Sequence, residues 1–304
     1  MLTAEQLEVR KHGLGSSDIA AVCGLNPWRG PLDVWMEKTG RAEARPDTPQ
    51  TRLGNRLERQ IAELYAEERG CDLTPGQTVI GAEPWIIATP DFYVGLGGER
   101  RILECKNVGH RIAHHWPEGE IPDYVLAQGL WQMEATGIRG LDVAALVGGR
   151  DFRIVPVAYN AEVVASILEI GEEFWTQYVL ADVEPPVDGS DSWAEYIKRK
   201  WPTDLAPPLE ATPDDEELGS QLALVRARMK NLEVDRAELE NALKARIGDA
   251  AGIRAHEWSV SWKCNASGGT DYKGLSEFLG ATPDQIAAFA RPGARVFRFT
   301  SKGK

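Results

Sequence analysis

Asp91, which follows Pro90, and the triplet Glu104-Cys105-Lys106 are the residues of this sequence best suited to chemistry. Alternate residues of a β-strand share a face, so Glu104 and Lys106 point one way and Cys105 the other. If the strand carrying Asp91 folds back on the strand carrying Glu104, two carboxylates and one ammonium converge. Hard divalent cations such as Mg²⁺ take oxygen ligands and keep several waters. Asp91, Glu104 and the backbone carbonyl of Cys105 supply such a set, which Mn²⁺ also suits. A cation held there polarises a phosphodiester and acidifies a bound water. Lys106 orients that water or offsets charge growing on the phosphate. The pattern is short, and a Glu-x-Lys pair on an exposed strand is ordinarily a solvated ion pair. Here Ile102-Leu103 and Val108 flank it, as in a buried strand, where unpaired charge is unfavourable and charge clusters concentrate at functional sites.

Further residues bear on this cluster. Glu58, beside the core-facing Leu57 of an amphipathic stretch, is either a third carboxylate for the same cation or an exposed helix acid. Arg52, Arg56 and Arg59 lie near it and either contact phosphates or solvate the helix. Tyr124 and Gln128 share one face of a later helix, since residues four apart are neighbours there, and Trp131 and Gln132 continue that side. A Gln on an apolar face has either a functional polar partner inside the fold or an ordinary structural one. Ser16, Ser17 and Asp18 stand at a helix start, where free amides favour anions; the alternative is a plain hydroxyl cap. His110, His114 and His115, just after the core motif, either contact DNA or are loop residues, and the loop reading is favoured.

The elements that must position these residues follow from periodicity. A helix is expected from Ser16 or Ser17 through Val22, another over Leu32–Lys38, and a third over Leu53–Arg69 with Leu57, Ile61, Leu64 and Tyr65 inward. Residues 85–95 and 100–108 form an antiparallel hairpin around a glycine-rich turn. Residues 123–137 form a helix, 142–149 and 152–159 two strands, and Asn160–Leu180 a helix. Residues 184–216, with six prolines, read as a linker, with Trp193, Tyr196 and Trp201 able to anchor part of it. Beyond it, Leu218, Leu222, Val225, Met229, Leu232, Leu239 and Leu243 follow heptad spacing, interrupted at Arg236. Gly248 and Gly252 close that helix. A strand over 257–264, a helix over 274–290 and a last strand over 294–300 that pairs with the first complete the chain. The expected division is thus 1–183, 184–216 and 217–304.

The 304 residues carry a net charge of −12, which counts against a protein that coats nucleic acid nonspecifically but leaves room for a locally basic cleft. Four scattered cysteines point to a reducing cytoplasm and offer no CxxC pair for zinc or an iron–sulfur cluster. Neither a signal peptide nor a membrane span is expected.

The motifs occur in an order that resembles the YqaJ and lambda-exonuclease families of the PD-(D/E)XK nuclease superfamily. "GLGSSDIAAVCGLNPWRGPLDVWMEKTG", "GNRLERQIAELY", "TPDFYVG…ILECKN" and "IPDYVLAQGLWQMEATG" carry the resemblance, over about residues 10–180. It implies an α/β core with a central mixed sheet flanked by helices, to which a C-terminal long helix and small β hairpin are added. It implies a Mg²⁺-dependent 5′→3′ exonuclease acting on double-stranded DNA ends in recombination, with a single-strand annealing protein as partner and a homotrimeric ring as assembly. By the same matching Asp91 and Glu104 bind metal, Lys106 and Gln128 are catalytic, Glu58 and Tyr124 support the site, and Arg10 and Ser17 hold the 5′ phosphate. An endonuclease on the same core, or a DNA-binding relative without turnover, are the alternatives; the latter is disfavoured because every expected acidic and basic position is occupied.

Overall fold

The structure, a computed structural model, describes residues 4–42, 48–256, 258–263 and 272–287. The chain divides into two compact units, Met1–Ile197 and Lys198–Lys304.

The first unit opens with α1 (Ala4–Arg10), α2 (Ser16–Val22), α3 (Pro31–Lys38) and α4 (Pro49–Arg69). Strands β1 (Leu73–Pro75), β2 (Val79–Ile80), β3 (Ile87–Ala88), β4 (Phe92–Leu96) and β5 (Glu99–Val108) follow. A 3₁₀ turn at His110–His115 leads to α5 (Asp123–Thr136), β6 (Gly140–Val147), β7 (Asp151–Ala158) and α6 (Ala161–Glu173), which continues in π-helical turns to Leu180. The main sheet has the order β1-β4-β5-β6-β7, antiparallel except between β5 and β6. It is the expected mixed sheet. Helix α4 covers one face, where Ile61, Ala62 and Tyr65 meet Leu103, Cys105 and Ala144. Helices α2 and α5 lie on the other, where Ile102, Val143 and Ala145 meet Val125, Leu130 and Met133. The alternation along β5 therefore sends Cys105 toward α4, and Glu104 and Lys106 toward α5.

The β4–β5 hairpin turns at Gly97 and Gly98, both at positive φ (61° and 87°), as a two-residue turn matched to the strand twist requires. Three local readings are corrected. Residues 85–95 do not form one strand: β3 pairs with β2 in a separate ribbon, and the chain bends at Thr89-Pro90-Asp91 before β4. Pro90 has no N–H to give to a ladder. Helix α2 has no hydroxyl cap; Gly15 precedes it and the Asp18 carboxylate accepts the Gly15 N–H at 2.9 Å. On α4, Leu64 is exposed and Ala62 takes the inward place beside Ile61.

Within 184–216 the structure has helix α7 (Asp191–Lys200), with Trp193 buried and its ring edge-on to Tyr196. In the second unit, Thr212 caps α8 (Pro213–Ile247) through the Asp215 N–H, and Pro213 takes the first helical position. Strand β8 (Gly252–Arg254) pairs with β9 (Ser259–Ser261). The expected pairing of the 257–264 strand with 294–300 falls on residues that lie outside the described ones. Short helices α9 (Tyr272–Phe278) and α10 (Pro283–Ala287) stand where one helix was expected.

Candidate active site

The β4–β5 register sets Phe92 opposite Leu103, which leaves Asp91 beside Glu104 at the mouth of the hairpin. The Asp91 carboxylate accepts the Cys105 N–H at 2.8 Å. Its corner is held from β1's side: Gly76 donates to the Asp91 carbonyl at 2.9 Å. A Cβ on Gly76 would lie 1.7 Å from the Pro90 carbonyl oxygen, so only glycine lets the two segments approach this closely.

Glu104 is buried, and three polar contacts hold it. Lys106 Nζ and Gln128 Nε2 each donate to Oε1 at 2.6 Å, and Gln132 Nε2 donates to Oε2 at 2.7 Å. Lys106 also donates to Gln128 Oε1 at 2.9 Å. Gln128 and Gln132 are four apart on α5, so one helix face brings both amides to one carboxylate. Gln128 thus has a charged partner inside the fold. Tyr124, one turn earlier, is half-buried and packs edge-on against the exposed Trp28 at 5.5 Å between ring centroids.

The electrostatics are those of a crowded acidic pocket. Burial, then Glu104 and Glu58, push the Asp91 carboxyl well above the usual carboxylate range. Burial raises Glu58 too, with Glu104 adding to it. Burial works against the charge of Lys106, but Glu104 and Asp91 outweigh it and raise the ammonium's pKa. Mutually repelling carboxylates of this kind favour either a proton or a cation.

Asp91, Glu58 and Gln128 line one cleft of about 560 Å³. Arg10, Gly15, Ser17, Asn55 and Arg59 line it as well. Arg10 donates to Ser17 Oγ at 2.8 Å, and its guanidinium lies where a Cβ on Gly15 would intrude. Behind this pair, the fully buried Asp18 meets Arg29 at 2.6 Å, Lys38 at 2.7 Å and Arg10 at 3.8 Å. Burial opposes the Asp18 charge, but Lys38, Arg29 and Arg10 outweigh it and hold the carboxyl well below its usual range. The anion-attracting groups at this end are therefore Arg10 and Ser17, since Asp18 already satisfies the Gly15 amide at the start of α2. Arg52 and Arg56 are exposed on α4 and are not among the cleft's lining residues; Arg59, one turn on, is.

Among the described residues no three His, Cys, Asp or Glu side chains converge as a finished cation cage. Asp91 is engaged by a backbone amide and Glu104 by an ammonium and two amides. What remains is two carboxylates near open cleft, an oxygen donor set that fits a hard cation retaining water. Burial, and then Asp91 and Glu104, raise the Cys105 thiol well above its ordinary value, so it offers no soft thiolate ligand.

Residues 5–139 match the YqaJ-like viral recombinase domain. The uncharacterized protein YqaJ of Bacillus subtilis (strain 168) is 27% identical over 277 residues, which are 90% of this chain and 87% of that protein. The similarity therefore runs beyond residues 5–139 into the second unit. An alkaline exonuclease from Laribacter hongkongensis shares the fold, with a TM-score of 0.51 at 18% identity, over 65% of this chain and 97% of that one. The same exonuclease in complex with dAMP aligns with a TM-score of 0.52 at the same identity and coverage. The β4–β5 hairpin, α4, α5 and the Arg10–Ser17 pair all fall within the matched residues 5–139.

Among the described residues no helix is long and apolar enough to cross a membrane.

Proposed function

We propose that this chain is a divalent-cation-dependent deoxyribonuclease that resects linear duplex DNA from its 5′ ends, in recombination, and leaves single strands for an annealing protein. The observation that carries this reading is the sharing of one cleft by the Asp91–Glu58–Gln128 side and the Arg10–Ser17 pair. A purely internal cutter has no use for a terminal-phosphate pocket beside its carboxylates. The YqaJ-like viral recombinase domain and the alkaline-exonuclease fold support the same reading. The setting would be a bacterial host cytoplasm.

Asp91, Glu104 and the Cys105 carbonyl would hold Mg²⁺, or Mn²⁺ in its place, with Glu58 reaching it through water. A bound cation supplies polarisation of the phosphate and an acidified water. The chain's own residues do the positioning. Lys106, kept charged by Glu104 and Asp91, offsets negative charge on the phosphate under attack. Gln128 fixes Lys106 and Glu104 relative to one another, so neither must reorganise during the reaction. Arg10 and Ser17 grip a terminal phosphate and set which bond reaches the carboxylates.

Digestion of linear duplex DNA with Mg²⁺, labelled at the 5′ or the 3′ end, tests this. Wild type is compared with Lys106→Ala, and a closed circle and a 5′-hydroxyl duplex are run alongside. Stepwise loss from 5′ ends, an intact circle, slower digestion of the 5′-hydroxyl substrate and an inactive variant are expected. Linearised circles would replace the exonuclease by an endonuclease; binding without cleavage by wild type would remove catalysis altogether.

A further inference from the structure

Helix α8 has 35 residues, and at about 1.5 Å per residue it spans roughly 52 Å. The heptad positions along it are Leu218, Leu222, Val225, Met229, Leu232, Arg236, Leu239 and Leu243. Of these, Leu218, Val225, Met229, Leu232 and Leu239 are between 49% and 69% exposed. An apolar seam repeated every seven residues over this length is the component of a coiled coil.

We infer that α8 pairs with α8 of a second copy of this chain as an antiparallel coiled coil. The orientation follows from charge. Steps of four and then three make Leu218, Val225, Leu232 and Leu239 d positions, and Leu222, Met229, Arg236 and Leu243 a positions. An antiparallel alignment that sets every a against a d places Leu218 on the partner's Leu243, Leu222 on the partner's Leu239 and Met229 on the partner's Leu232. Arg236 falls on the partner's Val225, where its aliphatic stem covers the valine and its head reaches water. In this structure that head already lies on the helix surface, 3.6 Å from Glu240. Beside the seam, Arg226 faces the partner's Glu233 and Arg228 faces the partner's Asp235. Symmetry doubles both, giving four attractive pairs and no like-charge pair. A parallel, in-register alignment still joins Arg228 to the partner's Glu233. It also sets Asp235 against the partner's Glu240 and drives Arg236 against the partner's Arg236 inside the seam. Edge charges of this kind select partner and orientation. The resulting contact is two-fold and self-complementary.

The test uses the full chain with Cys23→Ser, Cys71→Ser and Cys264→Ser, so that the native thiols outside the core do not compete in crosslinking. Oxidising an equal mixture of Val225→Cys chains and Arg236→Cys chains is expected to give crosslinked dimers, while neither alone does. Val225→Cys chains that crosslink to themselves would establish a parallel pair and overturn the proposal. In sedimentation, the Arg226→Glu/Arg228→Glu chain and the Glu233→Arg/Asp235→Arg chain are each expected to self-associate on the order of a hundredfold more weakly than wild type. Mixing the two restores the complex, because all four pairs are then opposite in sign; that recovery also shows that both variants fold. Wild type that stays monomeric at every concentration overturns the proposal. So does association that neither pair of reversals alters, which would place the contact elsewhere in the chain.

Discussion

Helix α5 buries Leu130, Trp131 and Met133 almost completely, whereas helix α8 leaves Leu232 and Leu239 about two-thirds exposed. Both helices are read from apolar spacing, yet they sort their exceptions in opposite ways. In α5 the polar Gln128 and Gln132 interrupt an apolar face, and both end on the buried Glu104. In α8 the apolar residues interrupt a charged surface. A polar side chain within an apolar face marks a site inside the fold, because buried polar groups must find partners. An apolar seam on a charged helix marks a partner outside it, because exposed apolar patches seldom persist without a use.

The largest effect is expected where buried charge is concentrated. If Asp91 holds the cation as proposed, Asp91→Asn should slow DNA cleavage by about a thousandfold, the scale seen when one charge-stabilising group is lost. Without cation it should melt no lower than wild type, since Asp91 carries a proton affinity raised by burial and by Glu104 and Glu58. Digestion rates and calorimetry together check this. A variant that both retains activity and loses stability would make Asp91 structural.

Next comes Asp18, whose carboxylate serves three cations. Asp18→Asn should cost about 3–5 kcal/mol, the usual consequence of breaking a buried ion pair from one side. Its pKa is depressed in the folded state, so its contribution is fully present above the unfolded carboxylate value of about 4. It is lost only as pH falls below that value toward the depressed one. Urea midpoints for both chains from neutral pH into strong acid should therefore converge only at the acidic end. Convergence already at mildly acidic pH would mean that Lys38 and Arg29 do not hold this group.

How much of this was legible depends on how local each cause is. Glu104 and Lys106 share a face because β-strands alternate, and Gln128 follows from a helical repeat; both are short-range facts. The bend at Pro90 is local too, but the expected strand ran through it because Ile86, Ile87 and Ala88 continue the apolar pattern. Nothing near Gly76 announces that it must admit the Pro90 carbonyl. Asp18 was seen as part of a helix start, while Lys38 and Arg29, which make it a buried hub, come from distant positions. Arg52 and Arg56 stood close to Glu58 in sequence, but the turn of α4 carries Arg59 rather than these two into the cleft. Heptad spacing gave α8 correctly, yet spacing alone cannot say whether a seam is covered by its own chain.

A middle-sized effect tests whether the amides of α5 serve Glu104 as a pair. Gln132→Leu leaves Glu104 Oε2 without its 2.7 Å donor. Losing a hydrogen bond to a charged group costs about 1.5–3 kcal/mol, which in a unit of this size lowers the melting point by roughly 5 °C. Cleavage should slow as well, because the carboxylate is no longer fixed, and Gln132→Glu should not restore it, since a second carboxylate repels the first. Unchanged turnover with the full loss of stability would confine Gln132 to packing.

The smallest effect bears directly on the contrast between the two helices. Leu130→Ala, in the core, should cost about 2–5 kcal/mol through lost burial and the cavity left behind. Leu232→Ala, in dilute solution where chains are separate, should stay within about 0.5 kcal/mol, as surface substitutions do, helped by the high helix propensity of alanine. The comparison needs only the two unfolding midpoints, followed over increasing protein concentration. If Leu232→Ala stays neutral when dilute and becomes destabilising as concentration rises, its side chain is buried by association, and mass action accounts for the change. If the cost matches that of Leu130→Ala even at high dilution, the seam is covered within one chain, and α8 sorts its side chains as α5 does.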